Sequence, residues 1–99
     1  MRYWRVLVKP GDGTQFFTRA LEISAHRAIV RGVQALPAGA VCDLHIFVPP
    51  PNDQQPPAVV GLRAEVGSVV FASGDIRLEF RVKSLSDEAR QLINTRRSG

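Results

Sequence analysis

The alternation of apolar and charged residues over positions 75–83 is the feature that most constrains the fold of this 99-residue chain. Every second side chain is apolar, namely Ile76, Leu78, Phe80 and Val82. The side chains on the other positions are all charged, namely Asp75, Arg77, Glu79, Arg81 and Lys83. Successive side chains point to opposite sides only in an extended strand. The segment therefore predicts a β-strand with one face in a core and the other in solvent.

Five earlier segments show a similar strand pattern, and turn residues separate them. The predicted strands are residues 3–9, 15–23, 28–33, 40–48 and 58–71. Residues 72–75, with the sequence Ala-Ser-Gly-Asp, predict a hairpin turn into the last strand. A segment holding five of the seven prolines, residues 49–57, predicts an exposed loop because proline cannot continue a β-ladder.

Two local expectations concern the second and fifth strands. We expect Phe17, Leu21 and Ile23 to lie on the same side of the second strand. In the long fifth strand, Gly61 and Gly67 are expected at bulges or bends where a small barrel turns a corner.

The period changes after residue 84. The apolar residues of this segment fall on one helical stripe, formed by Leu85, Ala89, Leu92 and Ile93. Ser86 is a suitable N-cap, and the first turn is acidic while the last is basic, so a helix is predicted over residues 86–97. The fold class is mainly β: a six-stranded antiparallel β-barrel across residues 3–83 with one C-terminal α-helix. We expect residues 1–99 to form a single domain.

Composition and charge narrow the choice of binding partner and of cellular location. The net charge of +4 favours an anionic partner such as a nucleotide, a nucleic acid or an acidic protein surface. No apolar run is long enough to span a bilayer, and the first residues lack the apolar segment of a secretory signal. We therefore expect a cytoplasmic protein without membrane insertion.

No catalytic or metal-binding pattern is evident. The chain lacks the glycine-rich phosphate loops and the nucleophile motif of common enzyme classes. Cys42 and His45 are three residues apart, which places them on opposite faces of a strand, while Asp43 and His45 share a face and could form a polar pair. A lone Cys42 in an apolar strand is expected to be buried and inert. The prediction is a protein that is not an enzyme and carries no metal or resident cofactor.

One stretch resembles a known family. Glu22-Ile23-Ser24 at the end of a strand, followed by a tight turn through Arg27, resembles the Asp-x-Ser-x-x-Gly stretch of PilZ domains, and Arg2 and Arg5 stand where the family has a basic RxxxR stretch. Residues 35–41, 44–49, 64–70 and 78–93 are similar to later family segments, so the resemblance covers about residues 2–95. PilZ domains are six-stranded barrels followed by a helix.

The resemblance implies a signalling module linked to cyclic di-GMP control of pili, motility or surface behaviour. It implies cyclic di-GMP as the ligand and Arg2, Arg5, Glu22, Ser24 and Arg27 as the binding residues. Glu22 replaces the family's Asp, Arg27 replaces its Gly, and Arg2 and Arg5 are three residues apart instead of four.

Such departures resemble those of PilZ-like adaptors that dock proteins of pilus or motility systems. From this resemblance we expect the chain either to bind the dinucleotide weakly or to dock a partner protein. The alternative is an OB-like module that binds single-stranded nucleic acid through strand-face aromatics and arginines. Against this alternative, the chain has no RNP-like aromatic motif, and a terminal helix lies outside the core pattern of an OB barrel.

Overall fold

Six strands and one helix make up the computed structural model, which describes residues 4–32, 34–50, 52 and 54–97. The strands are β1 (Arg5–Pro10), β2 (Phe16–Ile23), β3 (Arg27–Gly32), β4 (Val41–Val48), β5 (Ala58–Ala72) and β6 (Asp75–Ser84), and the helix is α1 (Asp87–Arg97). The strands form a closed barrel in the order β1-β2-β3-β6-β5-β4, and every neighbouring pair is antiparallel. The predicted six-stranded antiparallel barrel with a C-terminal helix is confirmed.

Closure depends on β1, which pairs with β2 on one side and with β4 on the other. Leu7, for example, lies opposite Phe17 of β2 and opposite His45 of β4. A closed barrel leaves no sheet edge along these strands, which removes the template for pairing with another chain.

The core fills the barrel with alternate side chains of each strand. In β6 the predicted inward residues Leu78 and Phe80 are completely buried, and Val82 is half-buried. Their charged neighbours stay at the surface or partly exposed, which confirms the alternation as the basis of the fold. Among the described residues, the other completely buried side chains come from four strands and the helix, namely Val6, Val8, Val30, Leu44, Ile46, Val48, Ala64 and Ile93.

The second strand differs from expectation at Leu21. Phe17 is 51% exposed and Leu21 is 45% exposed, whereas Ile23 is buried, so these three residues do not share a face. The register between β2 and β3 shifts between Ala20 and Glu22. This bulge inserts one residue and reverses the alternation for the rest of the strand. The prediction of a common face was therefore wrong.

The two glycines of β5 also behave differently from each other. The register with β6 shifts between Val66 and Ser68, which confirms a bulge at Gly67. Gly61, by contrast, lies in regular register opposite His45, so of the predicted bulge or bend the bulge was wrong there. At the β5–β6 turn, Ser73 and Gly74 both have positive φ, as a tight two-residue hairpin turn requires.

Helix α1 packs on the same core as the barrel. The Ser86 hydroxyl accepts a hydrogen bond from the Ala89 backbone N–H at 3.1 Å, so Ser86 is the N-cap as predicted. Ala89 and Ile93 are buried among the core residues, and the C-terminal turn brings Arg96 beside the cleft next to Val48. Within the part of the chain that the structure describes, no helix is long and apolar enough to cross a membrane.

Candidate functional site

The turn between β2 and β3 carries the residues that resemble the PilZ ligand motif. Ser24 closes this turn: its backbone N–H donates to the Arg27 carbonyl at 2.8 Å. Its hydroxyl oxygen accepts hydrogen bonds from the backbone N–H groups of His26 at 3.2 Å and Arg27 at 3.1 Å. Serine at such a position stabilises a tight turn through these local bonds. The turn is also fixed to β6, since the Val82 N–H donates to the His26 carbonyl at 3.0 Å.

Arg27, at the start of β3, lies between two carboxylates. Its guanidinium contacts Glu22 of β2 at 3.1 Å and Glu79 of β6 at 3.8 Å. Ser68 of β5 extends the contact by a hydrogen bond to Glu79 at 3.4 Å. We call Glu22, Ser24, Arg27 and Glu79 the turn cluster. Exposed pairs of this kind contribute about 0–1 kcal/mol each, so their main effect is to orient and neutralise the arginine.

A second charged group lies next to the turn cluster on β5 and β6. Glu65 contacts Lys83 at 2.9 Å and Arg81 at 3.9 Å. The hydrogen bond and positive charge of Lys83 lower the pKa of the Glu65 carboxyl, and Arg81 adds to the effect. Arg81 stands opposite Arg27 in the β3–β6 register, so carboxylates separate two adjacent cations on this side of the barrel.

Arg5 belongs to a different part of the surface. Its guanidinium carbon lies 4.7 Å from the centre of the Phe17 ring and 5.8 Å from that of Phe47. The two rings are 6.2 Å apart and inclined at 42°. These distances are those of cation–π contacts, which are worth about 0.5–1 kcal/mol at exposed sites. Arg5 thus caps an aromatic pair, whereas Arg27 contacts carboxylates.

The five residues predicted to bind a ligand are therefore not one group. Glu22, Ser24 and Arg27 come together at the β2–β3 turn, and Arg5 lies on the aromatic pair. Arg2 lies outside the described residues. Their role in binding stays a prediction.

Sequence reasoning missed three residues that shape these two clusters. Phe47 lies outward because its neighbours in β4 point inward, and the alternation of that strand already implied this orientation. Phe17 was predicted to share a face with the buried Ile23, because the bulge at Leu21 could not be seen in the sequence. Glu79 was correctly placed outward, but its contact with Arg27 depends on the β3–β6 register, for which the sequence holds no local pattern.

The remaining reactive side chains do not form a site. Cys42 is 1% exposed, and burial, with smaller contributions from Asp43 and Asp12, raises the pKa of its thiol. Asp43, which shares a strand face with His45, contacts Arg63 of β5 at 3.4 Å. Among residues 4–32, 34–50, 52 and 54–97, no three His, Cys, Asp or Glu side chains are grouped so that they could hold a metal ion.

In comparisons with known proteins, the chain matches no protein-family model and no curated protein. Among solved structures it is similar to the Bacillus subtilis inhibitor of motility MotI/DgrA, with a TM-score of 0.81 and 16% sequence identity. The similarity covers 98% of this chain and 46% of that chain, so this chain spans less than half the length of its structural neighbour. At this level of identity the likeness concerns the fold, and it supports a PilZ-like barrel followed by a helix.

Proposed function

We propose that this chain is a non-catalytic PilZ-type adaptor, which acts in cyclic di-GMP-linked control of motility, pili or surface behaviour by docking a partner protein. The proposal includes weak or absent binding of cyclic di-GMP to the chain itself. The observation that carries it is the state of Arg27, whose charge is already matched by Glu22 and Glu79.

A ligand phosphate at the turn cluster would meet two carboxylates around one arginine. Binding it requires Arg27 to leave Glu22 and Glu79, which then face the incoming anion without a counter-charge. Ser24 gives no compensation, because its hydroxyl already donates to the Arg27 carbonyl at 3.3 Å and accepts two backbone hydrogen bonds within the turn. The motif position that resembles the family's ligand site is therefore built to hold a turn.

The proposed role in motility or pili rests on the similarity of this chain to other proteins. The structural neighbour is an inhibitor of motility, and the sequence resemblance is to PilZ-like adaptors of pilus and motility systems. The experiment that tests it is deletion of the gene in its own host, followed by measurement of swimming, twitching and surface attachment. We expect at least one of the three to change and a wild-type copy to restore it. Unchanged behaviour in all three would overturn the proposed role.

Calorimetry with cyclic di-GMP tests the second part of the proposal. We expect no saturable binding in the micromolar range by the wild-type chain. A micromolar affinity that Arg27→Ala abolishes would contradict the proposal, since it would make the turn cluster a functioning nucleotide site.

A single-stranded nucleic-acid module is the second candidate function. The observation in its favour is the outward aromatic pair Phe17 and Phe47 with Arg5 beside it, a combination that single-strand binders use for stacking and phosphate contact. A gel shift with single-stranded oligonucleotides at low salt tests it, and the absence of a shift rejects it.

A further inference from the structure

We propose that one outer face of the barrel, formed by Arg5, Leu7, Phe17, His45, Phe47 and Val59, docks an acidic segment of a partner protein that also carries apolar side chains. We call these six residues the aromatic face. The inference rests on the proposed adaptor function and names the surface through which it would act.

Strand register places the six residues side by side across four strands. In one row Phe17, Leu7 and His45 are directly opposite one another on β2, β1 and β4. In the next row Arg5, Phe47 and Val59 follow one another on β1, β4 and β5. Directly opposed side chains on paired strands are about 5 Å apart, so the two rows form one continuous surface.

The aromatic face exposes apolar side chains to solvent. Phe17 is 51% exposed and Val59 is 56% exposed. Leu7, His45 and Phe47 are half-buried between them. Gly61, next to His45 in the register, adds no side chain that would interrupt the surface. Exposed apolar patches bordered by charge are typical of protein interaction sites.

The charge of this surface selects an acidic partner. Arg5 and Lys9 form no ion pair with any described residue, in contrast to Arg27, Arg31 and Arg63, which each contact a carboxylate. The carboxylate nearest to them in the register, Asp43, opposite Lys9, is already paired with Arg63. A partner carboxylate would therefore supply the missing counter-charge, and Arg5 can bind it through two parallel N–H groups.

The arrangement of the rings favours a protein over a nucleic acid. Base stacking needs an open ring face, but Arg5 covers one face of Phe17 at 4.7 Å, and Phe47 is inclined at 42° against it. The neighbours Leu7 and Val59 are aliphatic and offer no stacking surface. Apolar side chains of a peptide can pack on the two rings and the two aliphatic side chains, while a carboxylate of the same peptide contacts Arg5.

The test is selection of a random phage-displayed peptide library on the wild-type chain, with removal of peptides that also bind the Arg5→Glu/Phe17→Ser double variant. We expect the surviving peptides to be enriched in Asp or Glu next to Leu, Ile, Val or Phe. The affinity of the best synthetic peptide should fall roughly tenfold or more with Arg5→Glu or with Phe17→Ser alone. It should also weaken as salt concentration rises.

Two substitutions outside the aromatic face serve as matched controls. Arg77→Glu reverses an exposed charge on β6, and Phe71→Ser removes an aromatic side chain that is 70% exposed on β5. Both should leave the peptide affinity within about twofold of wild type. Circular dichroism melting of all variants establishes that each one is folded before its affinity is compared.

Three results would overturn the inference: no enrichment of acidic and apolar residues, equal losses from the control substitutions, or binding of a single-stranded oligonucleotide that Arg5→Glu abolishes. The last result would make the face a nucleic-acid site. Failure of the adaptor function is seen separately, in the behaviour of the deletion strain. If peptides bind at the face but the deletion strain has no motility or attachment defect, the docking surface is supported. Only its proposed role in motility or attachment is then rejected.

Discussion

At the scale of single residues, the contacts of an arginine depend on its cross-strand neighbours. Arg27 is neutralised by Glu22 and Glu79, whereas Arg5 lies on two phenylalanine rings with no carboxylate among its described contacts. Ser24 is present at the motif position, but its hydroxyl holds the β2–β3 turn. A residue matched by type to a family motif can therefore serve the fold alone.

Replacing Ser24 with alanine should destabilise the chain by about 1 kcal/mol, because the N–H groups of His26 and Arg27 lose their acceptor. Urea unfolding of wild type and variant measures the difference. Ser84→Ala, an exposed serine at the end of β6, is the control and should change stability by less than about 0.5 kcal/mol. Equal stability of wild type and Ser24→Ala would contradict the structural role of the hydroxyl.

The contact between Glu65 and Lys83 predicts a pH dependence. Because Lys83 lowers the pKa of Glu65 in the folded state, the carboxylate stabilises the fold above its unfolded pKa of about 4.3 and loses this contribution as the pH falls through the lower folded value. The difference in unfolding free energy between wild type and Glu65→Gln should be largest near neutral pH and shrink in acid. A difference that stays constant from neutral pH into acid would contradict it.

Cys42 should react slowly with thiol reagents. Its side chain is 1% exposed and burial raises the pKa of the thiol, so little reactive thiolate is available in the folded state. Labelling with a chromogenic disulfide should speed up sharply when the chain is unfolded in denaturant. Rapid labelling of the native chain would show that the barrel opens readily around β4.

At the scale of elements, alternation in the sequence predicted the strands, but it did not predict how they pair. The bounds of β6 and α1 follow from local patterns, because each residue of 75–83 reports its own face and Ser86 caps its own helix. The bulge at Leu21 arises from the register of β2 against β3, and it places Ile23 in the core while Phe17 lies at the surface. The orientation of Phe17, one of the six residues of the aromatic face, could therefore not be inferred from its predicted common face with Ile23.

The two glycines Gly32 and Gly61 offer a matched test of strand packing. A Cβ added at Gly32 would lie 2.8 Å from Cγ2 of Ile76, whereas one added at Gly61 would meet nothing closer than His45 at 3.9 Å. We expect Gly32→Ala to destabilise the chain by about 1–3 kcal/mol through overpacking. Gly61→Ala should be neutral or slightly stabilising. Thermal melting compares the two, and equal effects would contradict the register of β3 against β6.

At the scale of the whole molecule, closure of the barrel divides the outer surface into two sides of different chemistry. Strands β3 and β6 and the second half of β5 carry paired charges, among them Arg27 with Glu79 and Lys83 with Glu65. Strands β1, β2 and β4 and the start of β5 carry the aromatic face. The strands of the barrel could be predicted because the alternation of apolar and polar residues is a local property of the sequence. The division of the surface into two sides could not, because it depends on which strands become neighbours. The net charge of +4 favours an anionic partner, and our proposal places that partner on the aromatic face, where Arg5 forms no ion pair with a described residue.

The most direct test of the account is complementation of the deletion strain by two single variants, with the altered motility or attachment as the readout. Arg27→Ala dismantles the turn cluster, and Arg5→Glu reverses the charge of the aromatic face. We expect Arg27→Ala to restore wild-type behaviour and Arg5→Glu, expressed at the same level, to fail to restore it. Restoration by Arg5→Glu together with failure of Arg27→Ala would contradict it and would make the β2–β3 turn the working site.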